Sequence, residues 1–328
     1  MRKLCSLAMI VLARDLDAVR AYHRALESAF SVADEVVVVV DDRTPADLMG
    51  WFRQYDPDGP TLRAERRAFA NFSDQRNYAA SLCRYEWAIV LDADAILEGG
   101  RELAAEIASA PEDVDMILAH IVAVDAAGRE RTRLSWPVAY RRARCSWKYR
   151  GHNQLQGARA WAQSRCTIRS IYRDEDAAAR AKRTIPLLME DHAEDPNDPH
   201  APFFLSRAHW MAGDLTAAAS WARRSVDLAP DGVGFSTAWP LLAWATLDLD
   251  GVVAAERVVD EGLRRHPTMP DLLDLKAFVC KARQMDAIQD PSNAYAITEQ
   301  SSPKFLPRFL EIAQSIGWPL AATEPAHA

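Results

Sequence analysis

The fold is decided by residues 87–97, which read WAIVLDADAIL. Five apolar residues in a row are typical of a strand that is buried on both faces inside a parallel sheet. The run ends at two carboxylates, Asp92 and Asp94, and ligands of open α/β sheets bind outside the carboxyl ends of the strands. Two carboxylates one residue apart repel each other unless a proton or a divalent cation lies between them, and aspartate oxygens suit Mg²⁺ or Mn²⁺. The stretch therefore predicts a metal site for a phosphate-bearing ligand; the alternative is a helix cap followed by a solvated carboxylate.

The alternation of strand and helix continues along the first half of the chain. Further apolar runs predict strands at residues 5–12, 36–40 and 116–124. Local patterns predict helices at residues 19–30, at 101–108, and from Ser73 as N-cap to about Cys83. This alternation predicts a Rossmann-like α/β domain with a mostly parallel sheet and helices on both faces. Neither a Gly-x-Gly-x-x-Gly after the first strand nor a P-loop motif is found in the sequence, which disfavours dinucleotide-binding and P-loop proteins.

Composition and charge are those of an ordinary soluble protein. The chain has 328 residues, 49% of them hydrophobic, and its net charge of −7 does not favour nucleic acid or an anionic membrane as a partner. Its five cysteines are scattered without close pairs, which predicts reduced thiols in a cytoplasmic protein. No run of about 18 apolar residues occurs and the chain begins with a strand-like segment, so we expect neither a membrane span nor a signal peptide.

Several segments of the first half form an ordered set of motifs. They are the strand and loop at residues 6–15, the second strand with its terminal acids at 34–42, NFSDQRN at 71–77, LDAD at 91–94 and GHNQL at 151–155. In this order they resemble the motifs of the family-two glycosyltransferases of the GT-A fold, with LDAD as the DxD-type motif and GHNQL similar to the family's downstream His-Glu-Gln-Leu. The resemblance is in particular to the bacterial group that carries helical repeats after the catalytic domain.

The resemblance implies a metal-dependent, inverting transfer of a sugar from a nucleoside diphosphate donor, with UDP favoured and Mn²⁺ or Mg²⁺ as cofactor. The donor contacts that it implies are Ala13, Arg14, Asp41, Asp42, Arg76, Asn77, Asp92 and Ala93. The metal ligands that it implies are Asp92, Asp94 and His152. The base that inversion requires is expected among Asp174, Glu175 and His152. The alternatives for these last residues are acids at a helix start and a loop histidine bonded to the backbone.

Two positions differ from the family pattern. The loop after the first strand contains Arg14 and Asp15 where an Asn-Glu-Glu type of sequence is usual. Asn153 stands where the acidic partner of the downstream histidine is usual. The first difference bears on the nucleotide contacts and the second on the identity of the base.

Residues 129–173 form a basic belt. They contain twelve Arg and Lys residues against one acid, Glu130, which is a net charge of +11 inside a chain of −7. Three interpretations remain open. One or two arginines clamp the donor diphosphate, since guanidinium matches phosphate geometry. Alternatively, the belt binds an anionic acceptor such as nucleic acid, or it pairs with the acidic helical half of the chain.

The second half is Ala-rich and helical. This change predicts an all-α domain at residues 176–328 with a poorly ordered tail at 321–328, and the resemblance implies a GT-A-like, nucleotide-sugar-binding catalytic domain at residues 1–175. Small and terminal residues recur as in a tetratricopeptide-like repeat at Leu205, Gly213, Ala218, Ala222 and Pro230, and again at Ala243, Gly251, Ala255, Leu263 and Pro267. Such helices are predicted to bind the acceptor, to form a homodimer, or to support the first domain.

The leading functional hypothesis is a cytoplasmic glycosyltransferase of the hexosyltransferase type. Its acceptor is left open as a protein, peptide, glycan or nucleic acid, the last reached through the basic belt at residues 129–173. A hypothesis of a different class is an inactive transferase domain that serves as a repeat-based interaction module. Metal-dependent binding of a nucleoside diphosphate distinguishes the two classes.

Overall fold

The structure, a computed structural model, describes residues 5–12, 16–46, 61–93, 95–124, 128–171 and 177–288. The chain divides into two compact units, Met1–Glu175 and Asp176–Ala328. The tail at residues 321–328, predicted to be poorly ordered, lies outside the described residues.

The first unit is built on an eight-stranded sheet. Its strands are β1 (Cys5–Val11), β2 (Glu35–Asp41), β3 (Thr61–Arg67), β4 (Trp87–Val90), β5 (Ala95–Glu98), β6 (Val114–Val124), β7 (Glu130–Arg141) and β10 (Ala160–Ile171). They lie in the order β3-β2-β1-β4-β7-β6-β10-β5. The block β3-β2-β1-β4 and the pair β6-β10 are parallel, whereas β7 runs antiparallel to β4 and β6, and β5 antiparallel to β10. A separate hairpin joins β8 (Ser146–Lys148) to β9 (Gln154–Gln156). The predicted α/β fold class is confirmed, with a mixed sheet in which parallel pairs are the majority.

Both faces of the sheet are covered. Helices α1 (Leu16–Ala29) and α3 (Gly100–Ser109) contribute apolar side chains to the larger core, together with alternate residues of β1, β2 and β4. Helix α2 (Phe72–Leu82) and the β8–β9 hairpin contribute to two smaller clusters formed with the other set of strand side chains. The period-2 alternation of the strands thus gives each face its own core.

The start of α2 corrects one local prediction. The N-cap is Asn71, whose Oδ1 accepts from the backbone N–H of Asp74 at 2.8 Å, and not Ser73. The Ser73 hydroxyl instead donates to Asn71 Oδ1 at 2.9 Å. Asn and Ser both cap helices well. Asn71 is the cap here because the helix begins at Phe72, which leaves the N–H of Asp74 within reach of the Asn71 side chain.

The basic belt forms strands that the sequence patterns did not predict. Residues 129–173 supply β7, the β8–β9 hairpin and all of β10. Strands are recognised in a sequence by their apolar residues, and here many strand positions are charged because their side chains face carboxylates or solvent. The belt is therefore part of the sheet and not a surface loop.

The second unit is all-helical, as predicted. Its helices are α4 (Ala177–Glu194), α5 (His200–Met211), α6 (Leu215–Leu228), α7 (Ala238–Asp250), α8 (Val252–Arg265) and α9 (Pro270–Ile288). Ala218, Ala222 and Ala255 are fully buried, and Gly213 and Gly251 lie in the short connections between paired helices. The small residues of the predicted repeat therefore lie where helices approach closely, as a tetratricopeptide-like repeat requires. Within the described part of the chain, no helix is both long and apolar enough to cross a bilayer.

Gly157 is expected to be irreplaceable at the end of the β8–β9 hairpin. Its φ is +97°, and a Cβ there would lie 2.3 Å from the carbonyl oxygen of Arg144. We expect Gly157→Ala to lower the free energy of unfolding by about 2 kcal/mol or more, since a left-handed non-glycine residue costs about 1–2 kcal/mol before any clash. Gly128→Ala is the matched control, because Gly128 has a φ of +79° and open space around it. Equal losses in urea unfolding of the two variants would contradict the expected clash.

Candidate functional site

Two acids lie at the carboxyl ends of parallel strands of the sheet. Asp41 is the last residue of β2, and Asp92 follows β4 by two residues. Strand β1 lies between β2 and β4, and all three run parallel. Their carboxyl ends therefore lie side by side, and open α/β sheets bind ligands at this end of the strands.

Asp92 is paired with an arginine from α2. Arg76 Nη2 donates to Asp92 Oδ1 at 2.6 Å. The Arg76 side chain is only 8% exposed, whereas that of Asp92 is 51% exposed. No described residue donates to Asp92 Oδ2, so this carboxylate presents one oxygen to the edge of the sheet. The pair thus combines a buried fixed cation with a half-exposed anion.

Asn77, the neighbour of Arg76, joins α2 to the hairpin. Its Nδ2 donates to the carbonyl of Trp147, and its Oδ1 accepts from the N–H of Trp147, both at 2.8 Å. Both polar ends of the amide are thereby engaged within the protein. The structure gives Asn77 a bridging position, and its predicted contact with the donor stays a prediction.

A small cavity opens beside Asp92. Its volume is about 120 Å³, and its described lining consists of Val90, Asp92, Ala95, Ile121, Trp136, Ile168 and Ser170. That is room for about four water molecules at roughly 30 Å³ each. Ligand pockets usually exceed about 300 Å³, so the cavity alone is too small to enclose a typical ligand.

Asp41 is a buried carboxylate that stays ionised. It is 2% exposed and accepts hydrogen bonds from Arg43 Nε and Nη2 at 2.9 and 2.7 Å. Burial opposes ionisation, but the hydrogen bonds from Arg43 outweigh it and lower the pKa of Asp41 to about 2. Asp42 is exposed, and its backbone carbonyl accepts from Arg66 Nη1 at 2.7 Å. The end of β2 therefore carries an ionised carboxylate, Asp41, that is hydrogen-bonded to Arg43.

The loop between β8 and β9 has an unusual backbone. Tyr149 and His152 have positive φ values of 70° and 49°, which are rare for residues other than glycine and often occur at functional sites. The carbonyl of Arg150 accepts from the N–H of Phe72, which ties the loop to the start of α2. The His152 side chain is exposed. Asn153 is buried, and no described residue accepts a hydrogen bond from its Nδ2.

Some predicted site residues lie outside the described part of the chain. They are Ala13, Arg14, Asp94, Asp174 and Glu175. Ala93 is described and buried in the turn after β4. Among the residues that the structure describes, no three His, Cys, Asp or Glu side chains come together as a metal site. Asp92 is thus the described half of the predicted Asp92–Asp94 pair.

Six arginines of the basic belt pair with carboxylates of the first unit. Asp115 is fully buried and accepts from Arg144 Nη1 at 2.6 Å and from Arg159 Nε at 2.8 Å. Further pairs join Arg133 to Glu130, Arg141 to Glu86, Arg165 to Glu106 and Arg169 to Glu98. These arginines thus pair with acids of the sheet domain and not with the acidic helical half, which was the predicted partner in one of the three interpretations.

Sequence reasoning did not find three residues that lie around Asp92. Trp136 and Ser170 line the cavity, and Trp147 lies beneath the guanidinium of Arg76. All three belong to the basic belt, where we predicted no strands. The sequence did offer one indication of their role: Trp136 and Trp147 lie within an arginine-rich stretch, and an aromatic ring can stabilise a buried cation.

Comparison with known proteins places this domain in a family. Residues 17–172 match the family model of Glycosyl transferase family 2. No match is found among curated proteins. Over residues 17–172 the chain is therefore similar to the family 2 glycosyltransferases.

Solved structures are similar to both halves of the chain. S. aureus TarS in complex with UDP-GlcNAc is 13% identical, with coverage of 91% of this chain and 98% of TarS and a TM-score of 0.41. The Sgt2 TPR domain from Aspergillus fumigatus is 16% identical, with coverage of 39% and 83% and a TM-score of 0.31. The first TPR of Spaghetti (RPAP3) bound to an HSP90 peptide is 16% identical, with coverage of 32% and 82% and a TM-score of 0.30.

Proposed function

We propose that the protein transfers a sugar, with inversion and with the help of a divalent cation, from a UDP-linked donor bound at the carboxyl end of β4. The observation that carries this proposal is the Arg76–Asp92 pair next to the cavity. A buried cation beside a half-exposed carboxylate suits a ligand that itself combines a diphosphate with a metal ion. We propose that the helical unit helps to bind the acceptor.

The cation, Mn²⁺ or Mg²⁺, would be held by Asp92 and Asp94. The donor set fits, because both side chains offer carboxylate oxygens and Asp92 Oδ2 has no described hydrogen-bond donor. A bound cation supplies electrostatic stabilisation of the charge that develops on the leaving diphosphate. His152, the third predicted ligand, is exposed in a loop of the hairpin, and its role as a ligand belongs to this proposal.

Arg76 would act from within the protein on the same charge. Its guanidinium is held in place before the ligand arrives, so stabilising the leaving group requires no reorganisation at the moment of transfer. Asp41, ionised and fixed by Arg43, would accept a hydrogen bond from the nucleoside at the end of β2, which is separated from β4 by β1. The two acids thus take different roles, one toward the metal and one toward the nucleoside.

The base for inversion is not Asn153, because a neutral amide cannot accept the acceptor's proton. We place the base among Asp174, Glu175 and His152. Each of these residues can hold a proton near neutral pH once its environment is adjusted, and inversion needs only one such group on the acceptor side. Asn153 is buried and its Nδ2 has no acceptor among the described residues, so it is instead suited to donate a hydrogen bond.

The test is a donor panel. The full chain is incubated with UDP-, GDP-, ADP- and CDP-linked sugars in Mn²⁺ or Mg²⁺, and release of the nucleoside diphosphate is measured. We expect release from a UDP-sugar that EDTA abolishes and that added metal restores. Release that is unchanged in EDTA would contradict the metal, and faster release from another nucleotide would contradict UDP.

A further inference from the structure

Trp147 lies where it can control the orientation of Arg76. The Arg76 guanidinium carbon lies 4.9 Å from the centre of the indole ring, and the same guanidinium reaches Asp92 at 2.6 Å. Arg76 is buried, and its Nε has no described acceptor. A buried cation with an incomplete hydrogen-bond shell needs other compensation, and the face of an indole provides it.

The indole itself is fixed on several sides. Its backbone is bonded at both N–H and C=O to Asn77, and its Nε1 donates to the Tyr140 hydroxyl at 3.3 Å. Tyr140 packs edge-on at 6.1 Å, and Trp136 stacks on the ring at 6.0 Å between centroids. Trp136 also lines the cavity beside Asp92. The ring is therefore a rigid support that links the cavity wall to the arginine.

We propose that Trp147 is a positioning residue of the donor site, which holds the Arg76 guanidinium against Asp92 and acts on the ligand only through Arg76. This inference rests on the proposed function for its ligand, a nucleoside diphosphate with a divalent cation. The hairpin that carries Trp147 thereby becomes part of the donor site, although Trp147 does not itself touch the diphosphate.

The first test is a double-mutant cycle on binding. UDP is titrated calorimetrically in Mn²⁺ into wild type, Trp147→Leu, Arg76→Met and the double variant of the full chain. We expect Trp147→Leu to weaken binding about tenfold and Trp147→Phe, which keeps an aromatic face, about threefold or less. In the Arg76→Met background, either change at Trp147 is expected to add nothing measurable, because the residue through which it acts is gone.

A matched control separates position from general stability. Trp161 is 60% exposed on β10, so Trp161→Leu removes the same side chain without touching the Arg76 cluster. Its UDP affinity is expected to equal that of wild type. If Trp147→Leu does not fold, the cycle is carried out with Trp147→Phe alone. Losses at Trp147 and Arg76 that simply add up, or Trp147→Leu binding UDP like wild type, would overturn the proposal.

A second readout needs no ligand. In protein labelled with ¹⁵N-arginine, the Nε–H signal of Arg76 is assigned by its disappearance in Arg76→Met. We expect a signal that is shifted by the indole ring and protected from exchange with water in wild type and in Trp147→Phe, and that loses both properties in Trp147→Leu. An unchanged signal in Trp147→Leu would refute the positioning role, whether or not UDP binds. Absence of UDP binding to wild type, with the signal behaving as expected, would count against the proposed ligand alone.

Discussion

Asp92→Ala is expected to slow donor turnover by about a hundredfold to a thousandfold, the range seen when one preorganised electrostatic group is removed from a site. The change removes a proposed cation ligand and leaves the buried guanidinium of Arg76 without its carboxylate. Asp92→Asn keeps an oxygen that accepts from Arg76 but removes the charge, so we expect it to fold better and to be nearly as slow. The measurement is nucleoside diphosphate release at saturating donor and Mn²⁺.

The control for this prediction is an exposed aspartate of the same unit. Asp113 lies on the surface before β6, and Asp113→Ala is expected to retain the wild-type rate. Circular dichroism of each variant checks that the fold is intact. Turnover of Asp92→Asn within threefold of wild type would contradict the assignment of this carboxylate.

Asp115→Ala is expected to cost about 3 kcal/mol of unfolding free energy, without any role in the site. Asp115 is fully buried and accepts from Arg144 Nη1, from Arg159 Nε and from the Arg159 N–H at 3.0 Å. Removing one member of a buried charged network leaves its partners uncompensated, which costs about 3–5 kcal/mol. We expect the lower end of this energy range, because Arg144 and Arg159 are partly exposed and can be hydrated once the carboxylate is removed.

The effect of Asp115 is expected to depend on pH. Burial disfavours the ionised form, but the hydrogen bonds and charge of Arg159 outweigh burial and lower the pKa of Asp115 below its ordinary 3.8. A carboxylate with a lowered pKa in the folded state stabilises the protein above the unfolded pKa, and this contribution is lost as pH falls through the folded pKa. The difference between wild type and Asp115→Ala should therefore shrink below about pH 4.

Urea unfolding of the full chain at neutral and acid pH, followed by tryptophan fluorescence, measures these differences. Glu130→Ala is the control, because its pair with Arg133 lies in solvent and contributes little. Losses of equal size in the two variants, or a difference that grows toward low pH, would contradict the network.

The parallel core of the sheet could be predicted because its signals are local. The apolar runs of β2 and β4 are uninterrupted, and those of β1 and β6 contain few polar residues. Acids at the end of β2 and after β4 mark the strand ends. Their juxtaposition then follows from the general geometry of parallel sheets. Arg76 was also found, because it belongs to a short motif that lies before β4 in the chain.

The antiparallel half could not be predicted because it depends on distant partners. The arginines of the belt are accommodated in strands by acids far away in sequence, as Asp115 is paired with Arg144 and Arg159. A short stretch of sequence does not show whether a charged residue is paired with a distant acid in the fold or is exposed to solvent. The role of Trp147 was hidden for a similar reason, since its hairpin has strands of three residues and its contact with Arg76 spans 71 positions of sequence.

The central claim is that the carboxyl end of β4 binds a nucleoside diphosphate together with a divalent cation. Calorimetric titration of UDP into wild type and Asp92→Asn, each with Mn²⁺ and with EDTA, tests it most directly. Binding by wild type in Mn²⁺ that EDTA and Asp92→Asn both abolish is the predicted result. Equal binding by the two proteins, or by wild type with and without metal, would contradict it.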